Sequence, residues 1–307
     1  MLLSLTAAEL ALRLFVARWD FSAVFRFDET KTPCYALEPG SSAVYEGWFT
    51  KVPPTHLAIN SRGYRDREYT QRPPPGTLRI ALLGDSHVFG LGTEVEDGLP
   101  RRLEADLRGR LQRPVEVVNA GVPGYDLPKE VARAAQVLDD YSPDVLVFVA
   151  GALDLEDRPC SFWKAEVWPL LRVSRLAVTV FVNLVVRRQG LQAMPDEERV
   201  ALVLRQVARL QALAASRPAS GGLGPRLVLA QTSMLLPAST LDNDRLVRAI
   251  QDAGVTVLPM IAPWNEVFQH QERFVVRGEG HPNAAGMAVL APALGAELAS
   301  SGLLDPR

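Results

Sequence analysis

The sequence predicts an α/β protein: a three-layer sandwich in which a five-stranded parallel sheet lies between two layers of helices. From residue 78 onward, short apolar runs of strand length alternate with longer segments of helical periodicity. Such alternation is typical of parallel sheets joined by right-handed crossovers. Three of the apolar runs end in glycine-containing turns, and ligands bind at this edge of parallel sheets.

The predicted elements follow a proline-rich boundary. The run PPPG at 73–76 cannot continue a helix or a central strand, so the main domain is expected to begin at residue 77. The predicted strands are 80–83, 115–119, 145–150, 227–231 and 255–259. The predicted helices are 99–111, 129–141, 195–216, 241–253 and 284–299.

The boundary divides the chain into two parts. Residues 1–76, the preamble, are expected to hold an N-terminal helix and irregular packed structure with short strands. The helix is too short to span a bilayer, so it is either an amphipathic helix or the remnant of a membrane anchor. In the main domain, 77–307, an inserted cap is expected over 155–194. Its apolar run over 176–186 is expected to be a buried helix, the alternative being a lid or a membrane-docking face.

The composition favours a globular protein without a nucleic-acid partner. The 307 residues are 48% hydrophobic, and the formal net charge is −2, so a large core is expected and a broad basic surface is not. The two cysteines, Cys34 and Cys160, match no metal-binding or redox spacing. Pairing in an oxidising compartment stays open, but free, buried thiols are expected.

The candidate catalytic residues come from two distant segments. Ser86 follows the first predicted strand of the main domain and is a candidate nucleophile. The alternative is that Asp85 and Ser86 only cap the turn. His281 lies on a loop entering the last helix and is a candidate general base, with Glu279 as the nearest carboxylate.

These residues belong to a set of short motifs. The motifs are INSRGYR at 59–65, GDS at 84–86, FGLG at 89–92, VNAGVPGY at 118–125 and HPNAAG at 281–286. Together they resemble the SGNH, or GDSL-type, hydrolases. The resemblance implies a flavodoxin-like sheet, a nucleophile at Ser86 and a base at His281. It also implies oxyanion donors from the backbone N–H groups of Ser86 and Gly124.

Three positions depart from the family pattern or are unusual. The third block reads GALD at 151–154, so Leu153 stands where the family has an asparagine that donates to the oxyanion, followed by Asp154. Loss of one such donor costs roughly 2.7–4 kcal/mol. Glu279 stands near the position of the family's aspartate. His87 could line the acyl pocket or supply the missing donor, and we favour the pocket.

The function expected from these residues is that of a serine esterase without metal or cofactor. It would hydrolyse short-chain, acetyl-like O-acyl esters on a small molecule, a glycan or a lipid. Two alternatives stay open: an acyltransferase acting on a surface polysaccharide, and a weakly active SGNH-fold binding protein. A bacterial extracytoplasmic or membrane-associated location is expected, because many bacterial relatives carry an N-terminal membrane helix or export signal. A cytoplasmic location stays open.

Two other classes of site are disfavoured. Asp85, Ser86 and His87 also resemble the Asp-x-His of dinuclear metallophosphoesterases, but such centres need several further histidines. The chain has four histidines in all. No glycine-rich phosphate-binding motif follows a predicted strand, so nucleotide binding is not expected.

Overall fold

The computed structural model of the protein describes residues 2–16, 20–28, 30, 33–47, 52–151, 154–157, 168–181, 194–217, 224–236 and 240–305. Leu153 and Cys160 lie outside these ranges. The other candidate site residues lie within them.

The preamble contains a helix and two small antiparallel sheets. The elements are α1 (Leu2–Leu12), β1 (Phe25–Phe27), β2 (Tyr35–Leu37), β3 (Ser42–Tyr45) and β4 (Thr55–Ala58). β1 pairs with β2, and β3 pairs with β4. Tyr35 and Tyr45 share an apolar cluster with Phe89 and Tyr125 of the main domain. The preamble therefore packs on the main domain, while the proposed division at residue 77 stays a prediction.

Two expectations for the preamble are wrong. α1 is not amphipathic, because Glu9 is its one charged residue and apolar side chains such as Leu10 project into solvent. Cys34 is disulfide-bonded instead of free, a pairing that sequence spacing alone does not reveal. No helix within the described ranges is long and apolar enough to cross a membrane.

Five parallel strands form the central sheet, which confirms the predicted fold class. They are β5 (Leu78–Leu83), β6 (Val115–Asn119), β7 (Val145–Ala150), β8 (Arg226–Gln231) and β9 (Val255–Pro259). Their order across the sheet is β6-β5-β7-β8-β9. The strand order reverses beside β5, which makes its carboxyl end the topological switch point. Every residue of β5 and β7 is buried, because helices cover both faces.

The main domain contains the helices of the two outer layers and those of the cap. They are α2 (Ser86–Phe89), α3 (Leu99–Leu111), α4 (Leu127–Tyr141), α5 (Trp168–Val173), α6 (Arg175–Phe181), α7 (Asp196–Ser216), α8 (Thr240–Asp252), α9 (Ile261–Gln269), α10 (Gln271–Phe274) and α11 (Ala284–Ser300). Apolar residues of α4, α7 and α8 pack on one face of the sheet. Those of α3, α9 and α11 pack on the other.

The cap and the segment after β9 differ in part from the prediction. α6 lies in the apolar run, but Val178 is buried and Val180 is exposed, so the run is only partly buried as far as residue 181. Residues 182–186 lie outside the described ranges. The sequence also gave no indication of α9 and α10, because α9 is short and carries Pro263 in its first turn, where proline is tolerated.

Candidate active site

Ser86 lies at the carboxyl end of β5, in the nucleophile turn (residues 84–87). It is the first residue of α2, and Asp85 caps that helix by accepting a hydrogen bond from the His87 N–H at 2.8 Å. A Cβ on Gly84 would lie 2.5 Å from a methyl group of Val88. The tight turn therefore needs glycine before Asp85 and presents Ser86 at the switch point.

A buried arginine holds the far end of α2. Arg65 donates hydrogen bonds to the carbonyl oxygens of Phe89 at 3.0 Å and Gly90 at 2.6 Å. Its other terminal nitrogen reaches the carbonyl of Thr93 at 2.7 Å. Because α2 is a single turn, these bonds from the preamble give the carbonyl groups at its carboxyl end the donors that a longer helix would supply internally. The 59–65 motif thus supports the nucleophile turn, a role that sequence reasoning did not assign.

His281 meets Ser86 from the base loop (residues 275–283). Its Nε2 is 2.9 Å from Ser86 Oγ, although the two residues are 195 positions apart. The loop is held by a hydrogen bond from the Val276 N–H to the His281 carbonyl at 2.7 Å. Asn283 caps α11 by accepting from the N–H groups of the next turn. The two candidate residues predicted from distant segments are therefore adjacent.

The surroundings of His281 favour its neutral form, which can accept a proton. Burial, with a smaller contribution from the positive charge of His87, lowers the pKa of His281 to about 4, although Asp85 opposes this shift. At neutral pH the imidazole is unprotonated on one nitrogen, so Nε2 can accept the Ser86 proton. Nδ1 then carries the hydrogen, and it has no hydrogen-bond partner among the described residues.

Glu279 lies beside His281 without closing a hydrogen bond to it. Its Oε2 is 4.0 Å from His281 Nδ1, and its side chain has no solvent exposure. The same oxygen accepts a hydrogen bond from the Tyr45 hydroxyl at 2.6 Å. Gly278 and Gly280 flank it with positive φ values of 79° and 75°, which turn the loop sharply. In unliganded enzymes such catalytic bonds are often long, so Glu279 is suitably placed for the acid role.

Tyr45 was missed by sequence reasoning. It ends β3 in the preamble, 234 residues before Glu279, and no motif links the two. Burial, with the charge of Glu279, raises the pKa of Tyr45 far above its ordinary value, so the phenol stays a hydrogen-bond donor. The preamble therefore contributes a side chain to the site.

His87 forms an ion pair with its neighbour in the nucleophile turn. Its Nδ1 is 2.8 Å from Asp85 Oδ1. Burial alone would lower the pKa of His87, but the charges of Asp85 and Asp154 and the carbonyl of Gly280 raise it to about 9. Burial would likewise raise the pKa of Asp85, but His87 lowers it to about 2. His87 is therefore an imidazolium at neutral pH, with its ring 5.6 Å from that of His281.

The expected oxyanion donors face the same edge of the sheet. Gly124 has a φ of 75° in the turn after β6, and a Cβ on the nearby Gly121 would lie 2.4 Å from the backbone nitrogen of Phe89. This close approach brings the β6 turn against α2. Within the part of the chain that the structure describes, the N–H groups of Ser86 and Gly124 donate to no other protein atom. Both are available to a developing oxyanion.

The third block is only partly described. Asp154 accepts a hydrogen bond from the Gly151 N–H at 2.8 Å through its carboxylate, and one from the Leu127 N–H at 2.8 Å through its carbonyl. Asp154 thus shapes the turn after β7 and adds negative charge near His87. Leu153, predicted to replace the oxyanion-binding asparagine, lies outside the described residues. In the described ranges, no three His, Cys, Asp or Glu side chains are grouped to hold a metal ion.

A serine and a histidine in contact at a switch point are the arrangement expected of a hydrolase that works by acyl transfer. The sequence profile of the GDSL-like lipase/acylhydrolase family matches residues 82–289, more than half of the chain. The chain belongs to this family and is a carboxylic ester hydrolase. The resemblance predicted from the motifs is confirmed.

Several solved structures are similar to the chain at low sequence identity. TesA is 16% identical, with 72% of this chain and 97% of TesA covered at a TM-score of 0.47. A Clostridium thermocellum family 3 carbohydrate esterase is 12% identical, with 75% and 100% covered at 0.45. A catalytic mutant of Axe2, an acetylxylan esterase from Geobacillus stearothermophilus, is 15% identical, with 75% and 97% covered at 0.44. No curated protein matches the chain.

Proposed function

We propose that the protein is a serine esterase that hydrolyses short-chain, acetyl-like O-acyl esters with Ser86 as nucleophile, His281 as base and Glu279 as acid. The observation that carries the proposal is the 2.9 Å contact between Ser86 Oγ and His281 Nε2. Both residues are buried, and the lowered pKa of His281 keeps its imidazole neutral.

The reaction follows from these positions. Ser86 Oγ attacks the acyl carbon while its proton passes to His281 Nε2, and the N–H groups of Ser86 and Gly124 bind the oxyanion. Collapse of the tetrahedral intermediate breaks the ester C–O bond, and the leaving alkoxide takes the proton from Nε2. Water then attacks the acyl carbon of the acyl-enzyme and gives a proton to Nε2. Collapse of this second tetrahedral intermediate breaks the acyl–Oγ bond, Ser86 Oγ takes the proton back from Nε2, and the carboxylic acid is released. Glu279 stabilises the imidazolium by closing the 4.0 Å gap to Nδ1.

A fluorophosphonate probe tests the nucleophile. We expect the full chain to be labelled and to cleave aryl acetates, and we expect Ser86→Ala to abolish both. Ser216→Ala, which truncates a solvent-facing serine of α7, is the control and should behave like the unaltered protein. Labelling that persists in Ser86→Ala, or none in the unaltered protein, would contradict the proposal. Acetylated oligosaccharide formed at the expense of free acetate would assign the chain to the acyltransferases.

We also propose that the protein is extracytoplasmic and rests on a membrane surface through α1 and the cap. Among the described residues, seven of the eight exposed large apolar side chains lie in α1, in the turn that follows it or in the cap: Leu5, Leu10, Leu14, Phe15, Leu170, Val173 and Val180. Glu9 links α1 to the cap, because its carboxylate accepts hydrogen bonds from the N–H groups of Arg175 and Leu176. The disulfide bond of Cys34 supports an oxidising compartment.

Vesicle sedimentation tests the membrane proposal. Leu14→Glu/Phe15→Glu places charge on two side chains that are each 70% exposed, so folding should be retained. We expect the unaltered chain to sediment with anionic phospholipid vesicles and the double variant to stay in the supernatant. Leu204→Glu, on α7, is the control. Equal sedimentation of all three proteins would exclude this surface.

A further inference from the structure

The ring of His87 lies between the nucleophile turn and the base loop. Its Nδ1 is 2.8 Å from Asp85 Oδ1 in the turn. On the side of the loop, its ring centroid is 5.6 Å from that of His281, and the Gly280 carbonyl favours the protonated ring as a hydrogen-bond acceptor. A doubly protonated imidazole has one N–H for each of these acceptors, whereas a neutral ring has only one in all. Only the imidazolium can therefore bridge the two segments.

Aromatic side chains of α9 hold the ring in this orientation. Trp264 and Phe268 are one helical turn apart, and the centroid of the His87 ring is 5.8 Å from the first and 6.1 Å from the second. The interplanar angles of 67° and 76° are those of edge-to-face contacts, a favourable arrangement for ring pairs. The His87 side chain is 26% exposed, so the protein packs against most of its surface. The ring cannot turn away from the bridge without losing these contacts.

The charge of His87 acts on the base in two ways. It opposes the second positive charge that His281 would acquire on protonation. It also pairs with Asp85, whose Oδ2 lies 3.5 Å from Ser86 Oγ. An unpaired carboxylate at that distance would favour a charged His281 and would oppose the oxyanion that develops beside Ser86. Loss of the His87 charge is therefore expected to raise the pH at which His281 becomes protonated.

We propose that His87 is a positioning residue of this reaction: its ring bridges the nucleophile turn and the base loop, and its positive charge opposes protonation of His281. The proposal rests on the serine-esterase function above and adds a residue to that site. Apart from Asp85, the ionisable groups that face the two rings are Asp154, from the turn after β7, and Glu279, from the base loop. All three are carboxylates, which favour a protonated imidazole. Among these groups, His87 alone keeps the base neutral.

The pH profile of kcat/KM follows from the two roles of His87. The base must be neutral, so the acid limb reflects the pKa of His281, about 4. The bridge must be charged, so activity should fall as the pH rises through the pKa of His87, about 9. We therefore expect a bell-shaped profile for phenyl acetate hydrolysis. The uncatalysed rate is subtracted, and near-ultraviolet circular dichroism gives the folded fraction at each pH.

Two substitutions separate the charge of His87 from its titration. His87→Gln keeps an amide donor for Asp85 but removes the charge. Its acid limb should move up by about one pH unit or more, and its alkaline limb should disappear. His87→Arg keeps a positive charge that does not titrate in this range. Its acid limb should stay near that of the unaltered protein, while its alkaline limb also disappears.

His270→Gln is the matched control. It alters an exposed histidine whose Nδ1 is 3.9 Å from Glu272 Oε1, and both limbs should stay in place. Nitrogen-15 NMR of the unaltered protein gives a second reading that needs no substitution. An imidazolium signal should remain at about pH 8, above the ordinary pKa of a histidine.

Three outcomes would overturn the proposal. The first is an acid limb in His87→Gln that coincides with that of the unaltered protein. The second is an equal loss of kcat/KM at every pH, because a purely structural residue leaves both limbs in place. The third is the absence of an imidazolium signal at about pH 8. Ser86 labelling separates the two proposals: labelled enzyme with unmoved limbs in His87→Gln overturns the role of His87 alone, whereas unlabelled enzyme overturns the esterase function.

Discussion

The nucleophile turn and the base loop pair their charged groups in different ways. In the turn, Asp85 and His87 are two residues apart and meet at 2.8 Å. In the loop, Glu279 and His281 are also two residues apart, yet they are separated by 4.0 Å, and the carboxylate instead accepts from Tyr45 in the preamble. The ion pair of the turn is formed by near neighbours in sequence, whereas the carboxylate of the loop is held by a distant part of the chain.

The largest effect is expected from removing the base. His281→Ala should lower kcat on an aryl acetate by about 10⁴- to 10⁶-fold, because Ser86 then has no proton acceptor. Turnover measured against the concentration of folded protein checks this. His56→Ala, which alters an exposed histidine of the preamble, should leave kcat unchanged. A loss below about tenfold would remove His281 from the base role.

The next largest effect is expected from Glu279, which lies 4.0 Å from His281 Nδ1. If Glu279 closes on Nδ1 during the reaction, Glu279→Gln should lower kcat by about 10²- to 10⁴-fold, because the imidazolium loses its counter-charge. Glu297→Gln on α11 serves as the matched control. If both variants turned over at the same rate, Glu279 would only be a structural partner of Tyr45.

Tyr45→Phe tests whether a preamble side chain affects the pKa of His281. Without the phenol, the charge on Glu279 Oε2 acts more fully on His281, which should raise the His281 pKa above about 4. Since the base must be neutral, the acid limb of the kcat/KM profile should move to higher pH. Tyr35→Phe removes another buried preamble hydrogen bond, to the Pro123 carbonyl. Tyr35→Phe should lower Tm and leave the acid limb of the kcat/KM profile where it is. If the acid limb also stays in place in Tyr45→Phe, the prediction is refuted.

The smallest expected effect is on the pH dependence of the protein's stability. The folded pKa of His87 is about 9, above its ordinary value of 6.5. Its stabilisation is therefore fully present below pH 6.5 and is lost as the pH rises through 9. The folded pKa of His281 is about 4, below 6.5, so its stabilisation is present above pH 6.5 and is lost as the pH falls toward 4. Together these groups favour a stability maximum near pH 6.5.

Thermal unfolding across pH separates the two histidines. The unaltered protein should lose Tm on both sides of the maximum. His87→Gln should flatten the alkaline side and keep the acid side, because glutamine retains a donor for Asp85 but does not titrate. If Tm still declines at alkaline pH in His87→Gln, groups other than His87 cause that decline.

Much of the scaffold was predictable because its signals are local. β6, β7 and β9 have the predicted bounds, and α3 spans Leu99–Leu111 as expected. Their apolar residues repeat with strand or helix periodicity, which depends only on near neighbours in sequence. The predicted adjacency of Ser86 and His281 rested on family motifs and on where parallel strands end.

Other features of the site depend on contacts that sequence periodicity does not encode. α9, which carries Trp264 and Phe268, went unpredicted because a nine-residue helix with a proline in its first turn leaves a weak periodic signal. The acceptors of Arg65 are backbone carbonyls, which no side-chain pattern identifies. These groups acquire their partners only when the preamble packs on the main domain.

The sequence by itself determined the parallel sheet, the glycine turn that presents Ser86, and the loop that carries His281. Strand burial and turn geometry follow from neighbouring residues, so they can be inferred from short segments. Only the tertiary structure decided that Tyr45 binds Glu279, that His87 is an imidazolium, and that the rings of Trp264 and Phe268 lie against His87. Hydrogen bonds, pKa shifts and ring contacts between distant segments depend on ångström-scale separations, and the folded chain alone fixes those distances.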